Sequence, residues 1–124
     1  MSDLPKKVHV REVGPREGFQ FEKAMIPTAD KIAFVDALSA TGVKEIEFVS
    51  FVSPRWVPQM ADADAWTDGI TAKPGVKYIG LWLNQQGLDR AIAHKDKLFI
   101  RPQFSATASE TFSKKNTNKK IGRA

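Results

Sequence analysis

Strand-like and helix-like segments alternate along most of the chain. Four short runs rich in β-branched or aromatic residues predict strands at Val8–Val13, Glu45–Val52, Tyr78–Leu83 and Leu98–Phe104. Three intervening segments predict helices at Thr28–Ala40, Ala61–Thr71 and Gln86–His94. The last strand is the least regular, because Pro102 has no N–H to give to a sheet. Since strands that alternate with helices are typical of parallel βα units, we expect an α/β fold.

The first predicted helix has the clearest periodicity. Its apolar residues Ile32, Val35 and Leu38 recur at three-residue spacing. Thr28 is placed to cap the start of this helix, and Gly42 is placed to end it in a left-handed conformation.

The second predicted strand carries two acidic residues. Strand alternation places Glu45, Glu47 and Val49 on one face of the sheet. A carboxylate that faces the inside of a closed sheet is costly unless a cation or a metal pairs with it. Glu47 therefore needs such a partner, or the strand lies at an exposed edge, and the sequence leaves both possibilities open.

The net charge of +5 and the pI of 9.6 raise the hypothesis of a nucleic-acid-binding protein. The excess charge lies in the last residues, 113–124, which carry five basic residues and no acidic one. Without this basic tail, 14 basic residues balance 14 acidic residues. A basic end is more often solvated than a binding surface, so we expect no nucleic-acid partner.

Composition excludes several other classes of protein. The chain has no cysteine, which rules out disulfides and cysteine nucleophiles within it. No apolar run approaches the ~18–20 residues that span a bilayer, and Met1–Lys7 is too polar for a signal peptide. We therefore expect a cytoplasmic protein without a membrane partner. Its 124 residues allow one small domain, but not the roughly 250 residues of a complete eight-stranded α/β barrel.

A polar segment follows the first predicted strand. After Gly14 and Pro15 the chain presents Arg16, Glu17 and Gln20 at the carboxyl end of a strand, where ligand sites gather in α/β folds. An arginine suits a carboxylate or enolate oxygen, and a neighbouring carboxylate can bind a hard divalent cation. Taken in isolation, the segment is better explained as a turn with a surface salt bridge.

A longer stretch, Val10–Met60, resembles the opening of a known enzyme family. The matching pieces are EVGPREGFQ from Glu12, Glu22–Lys23, Ile46–Glu47 and SFVSPRWVPQM from Ser50. They are similar to hydroxymethylglutaryl-CoA lyases, members of the metal-dependent DRE-TIM superfamily. The last of these pieces is highly specific, and looser similarity continues at Asn84 and at residues 108–116.

The resemblance implies a (β/α)8 barrel, of which this chain would form about the first four βα units. Residues 1–124 would then be a single incomplete barrel domain that ends in the basic tail. The implied reaction is retro-aldol cleavage of a 3-hydroxy-3-methylglutaryl-CoA-like thioester to acetyl-CoA and acetoacetate. The family's metal-binding histidines and asparagine and its catalytic cysteine come from the second half of the barrel. We therefore expect this part alone to be inactive.

The resemblance also implies catalytic roles, position by position. Arg16 corresponds to the arginine that stabilises the developing enolate oxygen. Glu47 corresponds to the glutamate that helps to hold this arginine, and Gln20 to a residue beside the metal site. We expect these three residues to be catalytic.

Metal and substrate contacts are implied in the same way. Glu17 falls where the family has an aspartate that ligates Mg²⁺ or Mn²⁺, and its extra methylene moves the carboxylate by about 1 Å or more, which matters for a metal with strict geometry. Lys23 matches a lysine that contacts the CoA-bearing substrate, and Asn84 is expected to bind substrate. The expected partner is thus a small acyl-CoA molecule.

Two alternatives stay open. The chain could belong to a related enzyme of the superfamily that acts on another acyl-CoA or on a 2-oxo acid. It could also be a non-catalytic half-barrel. Because barrels normally remove their edges by closure, about four strands leave two open edges. We therefore expect a homo-oligomer or association through these edges.

Overall fold

The computed structural model describes residues 3–102 and 107–117. The elements along this part of the chain are β1 (Arg11–Glu12), α1 (Gly14–Phe21), α2 (Thr28–Ser39), β2 (Glu45–Ser50), a 3₁₀ turn (Pro58–Met60), α3 (Ala63–Gly69), β3 (Lys77–Leu81), α4 (Gln85–Ala93) and α5 (Glu110–Thr117). Helices separate each strand from the next, and the strands pair in parallel, which confirms the α/β prediction.

The three strands form one parallel sheet with β2 in its centre. All six residues of β2 are buried, so the hypothesis that Glu45 and Glu47 lie on an exposed edge strand is wrong. β1 is much shorter than predicted, because its partner strand begins only at Glu45, opposite Arg11. Residues 8–10 therefore lie beyond the ladder and are exposed.

The segment after β1 forms a helix where the sequence predicted only a polar turn. Pro15 lies at the start of α1, where its fixed φ and missing N–H are tolerated. Glu17, in the same first turn, interacts favourably with the helix dipole. The helix begins two residues after β1 ends, so it holds Arg16 at the carboxyl end of that strand. Gln20 is one turn further along, on the same helix face.

α2 is buried along a different stripe from the one predicted. Its buried positions are Lys31, Val35 and Ser39, whereas two of the three predicted apolar residues are only half-buried. Lys31 and Ser39 are tolerated there because both find hydrogen-bond partners inside the protein. Thr28 is the first residue of the helix rather than its cap. Gly42 has a φ of 91°, which confirms the left-handed end.

The fourth predicted strand is reduced, in the described residues, to one parallel bridge between Leu98 and Tyr78. The N–H of Phe99 donates to the carbonyl of Tyr78 at 2.7 Å. Pro102 follows and cannot donate to a ladder. The rest of that predicted strand, residues 103–104, lies outside the described residues.

The predicted basic tail is helical at its start, since residues 113–117 belong to α5. Residues 118–124 lie outside the described part of the chain. Within that part, no helix is both long enough and apolar enough to cross a membrane.

Aromatic rings form the centre of the core between the sheet and the helices. The ring of Phe48 contacts Trp66 edge-on at 5.2 Å and Tyr78 at 6.2 Å between centroids. Phe48 is on β2, so strand alternation directs Glu45 and Glu47 to the opposite face of the sheet. The polar cluster described next lies on that second face.

Candidate active site

Arg16 lies at the centre of a polar cluster at the carboxyl end of β1. Its Nε and Nη2 lie 2.9 and 2.7 Å from Oε1 of Glu47. Its Nη1 donates to Oε2 of Glu17. The side chain of Arg16 is only 18% exposed, so two carboxylates orient the guanidinium before any ligand binds. Glu47 therefore has a cationic partner, which is one of the possibilities that the sequence left open.

Arg11 joins the two buried carboxylates of β2. Its Nη1 lies 3.5 Å from Oε2 of Glu47, and its Nε donates to Oε2 of Glu45 at 3.3 Å. His9 and Lys77 approach Oε1 of Glu45 at 3.3 and 3.6 Å. Burial acts to raise the pKa of Glu45, but the hydrogen bonds and charges of these three neighbours together lower it below its ordinary value. Glu45 is therefore ionised at neutral pH, and the surrounding cations offset the cost of its burial.

Glu17 is the predicted metal ligand, but the described residues do not complete a site for a divalent cation. No group of three or more His, Asp or Glu side chains in residues 3–102 and 107–117 could hold a metal ion. The carboxylate of Glu17 is paired with Arg16, and that of Glu47 with Arg16 and Arg11. Octahedral Mg²⁺ takes about six oxygen ligands, so ligation of a metal by Glu17 stays a prediction.

Gln20 and Lys23 lie close to Arg16 in sequence without joining the cluster. Gln20 is half-buried on α1, and Lys23 follows the end of that helix with an exposed side chain. Among the described residues, neither makes a hydrogen bond or ion pair with Arg16, Glu17 or Glu47. Their roles in catalysis and substrate binding stay predictions.

Asn84 caps α4 at the carboxyl end of β3. Its Oδ1 accepts a hydrogen bond from the N–H of Gly87 at 2.9 Å, as expected for an N-cap. With Phe51, Pro54 and Arg90 it lines a small cavity of about 130 Å³. The position is at the edge of the sheet where ligand sites gather in α/β folds, but the helix already uses the side-chain oxygen. Substrate binding by Asn84 stays a prediction.

Sequence reasoning missed a second polar cluster, formed by Lys31, Gln59 and Asp62. Nζ of Lys31 donates to the carbonyl of Gln59 at 2.5 Å and to Oδ1 of Asp62 at 2.8 Å. The available signal was a lysine four residues before Val35, on the buried face of α2. A solvated lysine has the same local pattern, because the partners lie 28 and 31 residues away.

Comparison with known proteins assigns the chain to a family. The HMGL-like family model matches residues 7–124. The 3-hydroxy-3-isohexenylglutaryl-CoA/hydroxy-methylglutaryl-CoA lyase of Pseudomonas aeruginosa is 49% identical over 116 residues, which are 94% of this chain and 38% of that protein. Similar relatives from Rattus norvegicus are hydroxymethylglutaryl-CoA lyases named as mitochondrial or cytoplasmic.

Solved lyase structures share the fold. The hydroxymethylglutaryl-CoA lyase of P. aeruginosa superimposes with a TM-score of 0.83 at 48% identity, over 97% of this chain and 39% of that one. An HMG-CoA lyase from Acinetobacter baumannii, solved with coenzyme A and 3-methylmalate, gives 0.79 at 34% identity over 90% of this chain and 36% of its own. The chain spans just over a third of these proteins, which confirms a partial lyase-type barrel. It belongs to the HMGL-like family.

Proposed function

We propose that the chain is the N-terminal part of a carbon–carbon lyase of the hydroxymethylglutaryl-CoA lyase type. Its substrate would be a 3-hydroxy-3-methylglutaryl-CoA-like thioester, cleaved to acetyl-CoA and acetoacetate. The observation that carries this proposal is the pairing of Arg16 with Glu47 at the carboxyl end of β1. Because the chain spans only 38% of the P. aeruginosa relative, we expect no turnover by this part alone.

The proposed reaction is a retro-aldol cleavage. The tertiary hydroxyl group loses its proton, and the bond between the α and β carbons of the thioester breaks. The electron pair of that bond forms the enolate of acetyl-CoA, while the β carbon becomes the ketone of acetoacetate. Protonation of the enolate at carbon completes the reaction. The negative charge on the enolate oxygen is what the site must stabilise.

Arg16 suits that task because its guanidinium is oriented in advance. Glu47 holds two of its nitrogens and is itself only 5% exposed. The pair with Glu17 is more open, since the Glu17 side chain is 47% exposed. A substrate oxygen can therefore compete for Nη1 more readily than for the nitrogens that face Glu47. A cation fixed in this way needs little reorganisation when the enolate charge develops.

The remaining roles concern the metal and the substrate. Glu17 would give one carboxylate oxygen to Mg²⁺ or Mn²⁺, with the other ligands supplied from outside the described residues. When bound, such an ion polarises substrate oxygens. Gln20 would act beside it, and Lys23 and Asn84 would contact the acyl-CoA, for which the exposed cation of Lys23 is suited. A cytoplasmic location stays a prediction, because relatives carry names of both compartments.

A related enzyme that acts on another acyl-CoA is the second candidate. One observation favours it: the P. aeruginosa relative is named for an isohexenyl as well as a methyl substrate. Glu17 in place of the expected aspartate also departs from the lyase pattern. The substrate pocket beyond Asn84 would decide between the acyl groups.

A chimera tests the proposal. Residues 8–102 would replace the matching segment of the P. aeruginosa lyase, with acetyl-CoA and acetoacetate release as the readout in Mg²⁺ or Mn²⁺. We expect turnover of hydroxymethylglutaryl-CoA, and we expect Arg16→Ala to lower kcat about 10²–10³-fold, as loss of an oxyanion donor does. Lys95→Ala, which removes an exposed cation beyond α4, is the matched control and should leave kcat unchanged.

Glu17→Asp in the same chimera tests whether the longer side chain of Glu17 weakens metal binding. We expect calorimetry to show tighter Mg²⁺ or Mn²⁺ binding by this variant, because the shorter side chain restores the family's ligand. Turnover only of longer acyl-CoA substrates would favour the second candidate. A folded chimera that cleaves no acyl-CoA, with or without Glu17→Asp, would reject the lyase proposal.

A further inference from the structure

The loop between α1 and α2 is held by a side chain from a distant part of the chain. Gln59 belongs to the 3₁₀ turn and is almost fully buried. Its Nε2 donates to the carbonyl of Glu22 at 2.8 Å and to the carbonyl of Ala24 at 2.6 Å. These two residues flank Lys23, whose side chain is exposed. One amide group therefore fixes the backbone on both sides of an exposed cation.

Gln59 is in turn anchored by a fully buried lysine. Nζ of Lys31 donates to the main-chain carbonyl of Gln59 and to Asp62, whose other carboxylate oxygen accepts a hydrogen bond from Oγ1 of Thr28 at 2.7 Å. The same ammonium lies 5.3 Å from the ring centroid of Trp66. A buried ammonium is costly without such partners, so breaking these contacts is unfavourable. It gives Gln59 a rigid support that involves α2, the 3₁₀ turn and α3.

From these contacts we propose that Gln59 is a positioning residue for Lys23 in acyl-CoA binding. The inference rests on the proposed function, which assigns Lys23 to the CoA-bearing substrate. A lysine on a mobile loop loses backbone freedom when it binds an anion, and a backbone that is already fixed avoids that loss. Gln59 acts through the loop and does not need to touch the ligand, because both hydrogens of its amide are used by the two carbonyls.

Trypsin cleavage after Lys23 tests, without any ligand, whether Gln59 fixes the loop between α1 and α2. A protease needs a locally opened backbone, so the bond between Lys23 and Ala24 should be slow to cleave in the native chain although the side chain is exposed. Gln59→Met keeps the length of the side chain and removes both donors. We expect this variant to be cut there about tenfold faster or more, which is the effect of losing two hydrogen bonds. Mass spectrometry gives the rate for each bond separately.

Two comparisons show whether the effect is local. Cleavage after Lys44, directly before β2, reports opening of the sheet and should keep its native rate in Gln59→Met. Gln85→Met is the matched substitution, because it removes an exposed glutamine from α4, and it should change neither rate. Equal acceleration after Lys23 and after Lys44 would make Gln59 a general stabiliser and overturn the proposal. No acceleration at either bond would overturn it as well.

Coenzyme A binding, measured by calorimetry on the chimera of residues 8–102 with the P. aeruginosa lyase, provides the functional test. We expect Lys23→Ala and Gln59→Met each to weaken CoA binding several-fold, and the double variant to be no weaker than Lys23→Ala, because both act through one side chain. Weaker binding in Lys23→Ala but native binding in Gln59→Met would overturn the positioning role. Native binding in Lys23→Ala, or no binding by any form, would instead reject the role of Lys23 in the proposed function. The trypsin rates would still decide whether Gln59 fixes the loop.

Discussion

At the scale of single residues, Arg11 is the cation that contacts both buried carboxylates on one face of β2. It bonds Glu45 and lies close to Glu47. Without Arg11, the buried carboxylate of Glu45 keeps, among the described residues, the more exposed side chains of His9 and Lys77 as its partners, so its burial is less well compensated. We expect Arg11→Met to lower the free energy of unfolding at neutral pH by about 1–3 kcal/mol, with Lys95→Met as the control that leaves it unchanged. Urea unfolding measures both.

The same substitution has a defined pH dependence. The pKa of Glu45 lies below the ordinary value of 4.5, largely through the Arg11 hydrogen bond acting against burial. As the pH falls below about 4.5, the unfolded chain therefore binds more protons than the folded chain. The stabilisation that ionised Glu45 gives at higher pH is then lost. The difference between Arg11→Met and the native chain should shrink as the pH is lowered below about 4.5. A difference that is constant with pH would contradict this account of Glu45.

At the scale of elements, the packing between β2 and β3 depends on a glycine. A Cβ on Gly80 would lie 2.7 Å from the ring of Phe51 and 3.2 Å from Cγ1 of Val49. Such overpacking forces the neighbours to move, so we expect Gly80→Ala to destabilise the chain by about 1–3 kcal/mol. Thermal unfolding followed by circular dichroism checks the value.

Gly18 provides the opposite case in α1. A Cβ there meets no heavy atom within 4 Å. Because glycine is a poor helix former, Gly18→Ala should stabilise the chain by about 0.5–1 kcal/mol. If Gly80→Ala were neutral or stabilising, as we expect for Gly18→Ala, Phe51 could not lie as close to β3 as the structure places it.

At the scale of the whole molecule, the open sheet favours association. β1 covers only two residues of β2, and Val8 and Val10 beyond it are exposed. Exposed apolar strand edges are templates for pairing with another chain. We expect light scattering to show a mass that rises with concentration, and Val10→Lys to reduce that rise. Ile92→Lys, an equivalent change on the outer helix α4, should not. A monomer at all concentrations would exclude association through these edges.

Local pattern by itself determined most of the order of strands and helices. The residues of the candidate site were proposed from the family motif, and their roles stay predictions. Periodicity and turn residues act over a few positions, so they predicted β2, α2 and α4 to within a few residues. The same local signals could not show that α1 follows the first strand, because a proline and a glycine fit a turn as well as the first turn of a helix.

Only the tertiary structure decided which polar groups meet. Glu47 reaches Arg16 across 31 residues, and Lys31 and Gln59 meet across 28. The length of β1 was likewise set by where its partner begins, not by its own β-branched residues. A buried charge is stable only beside partners that folding brings together, and local sequence does not contain the distance between them.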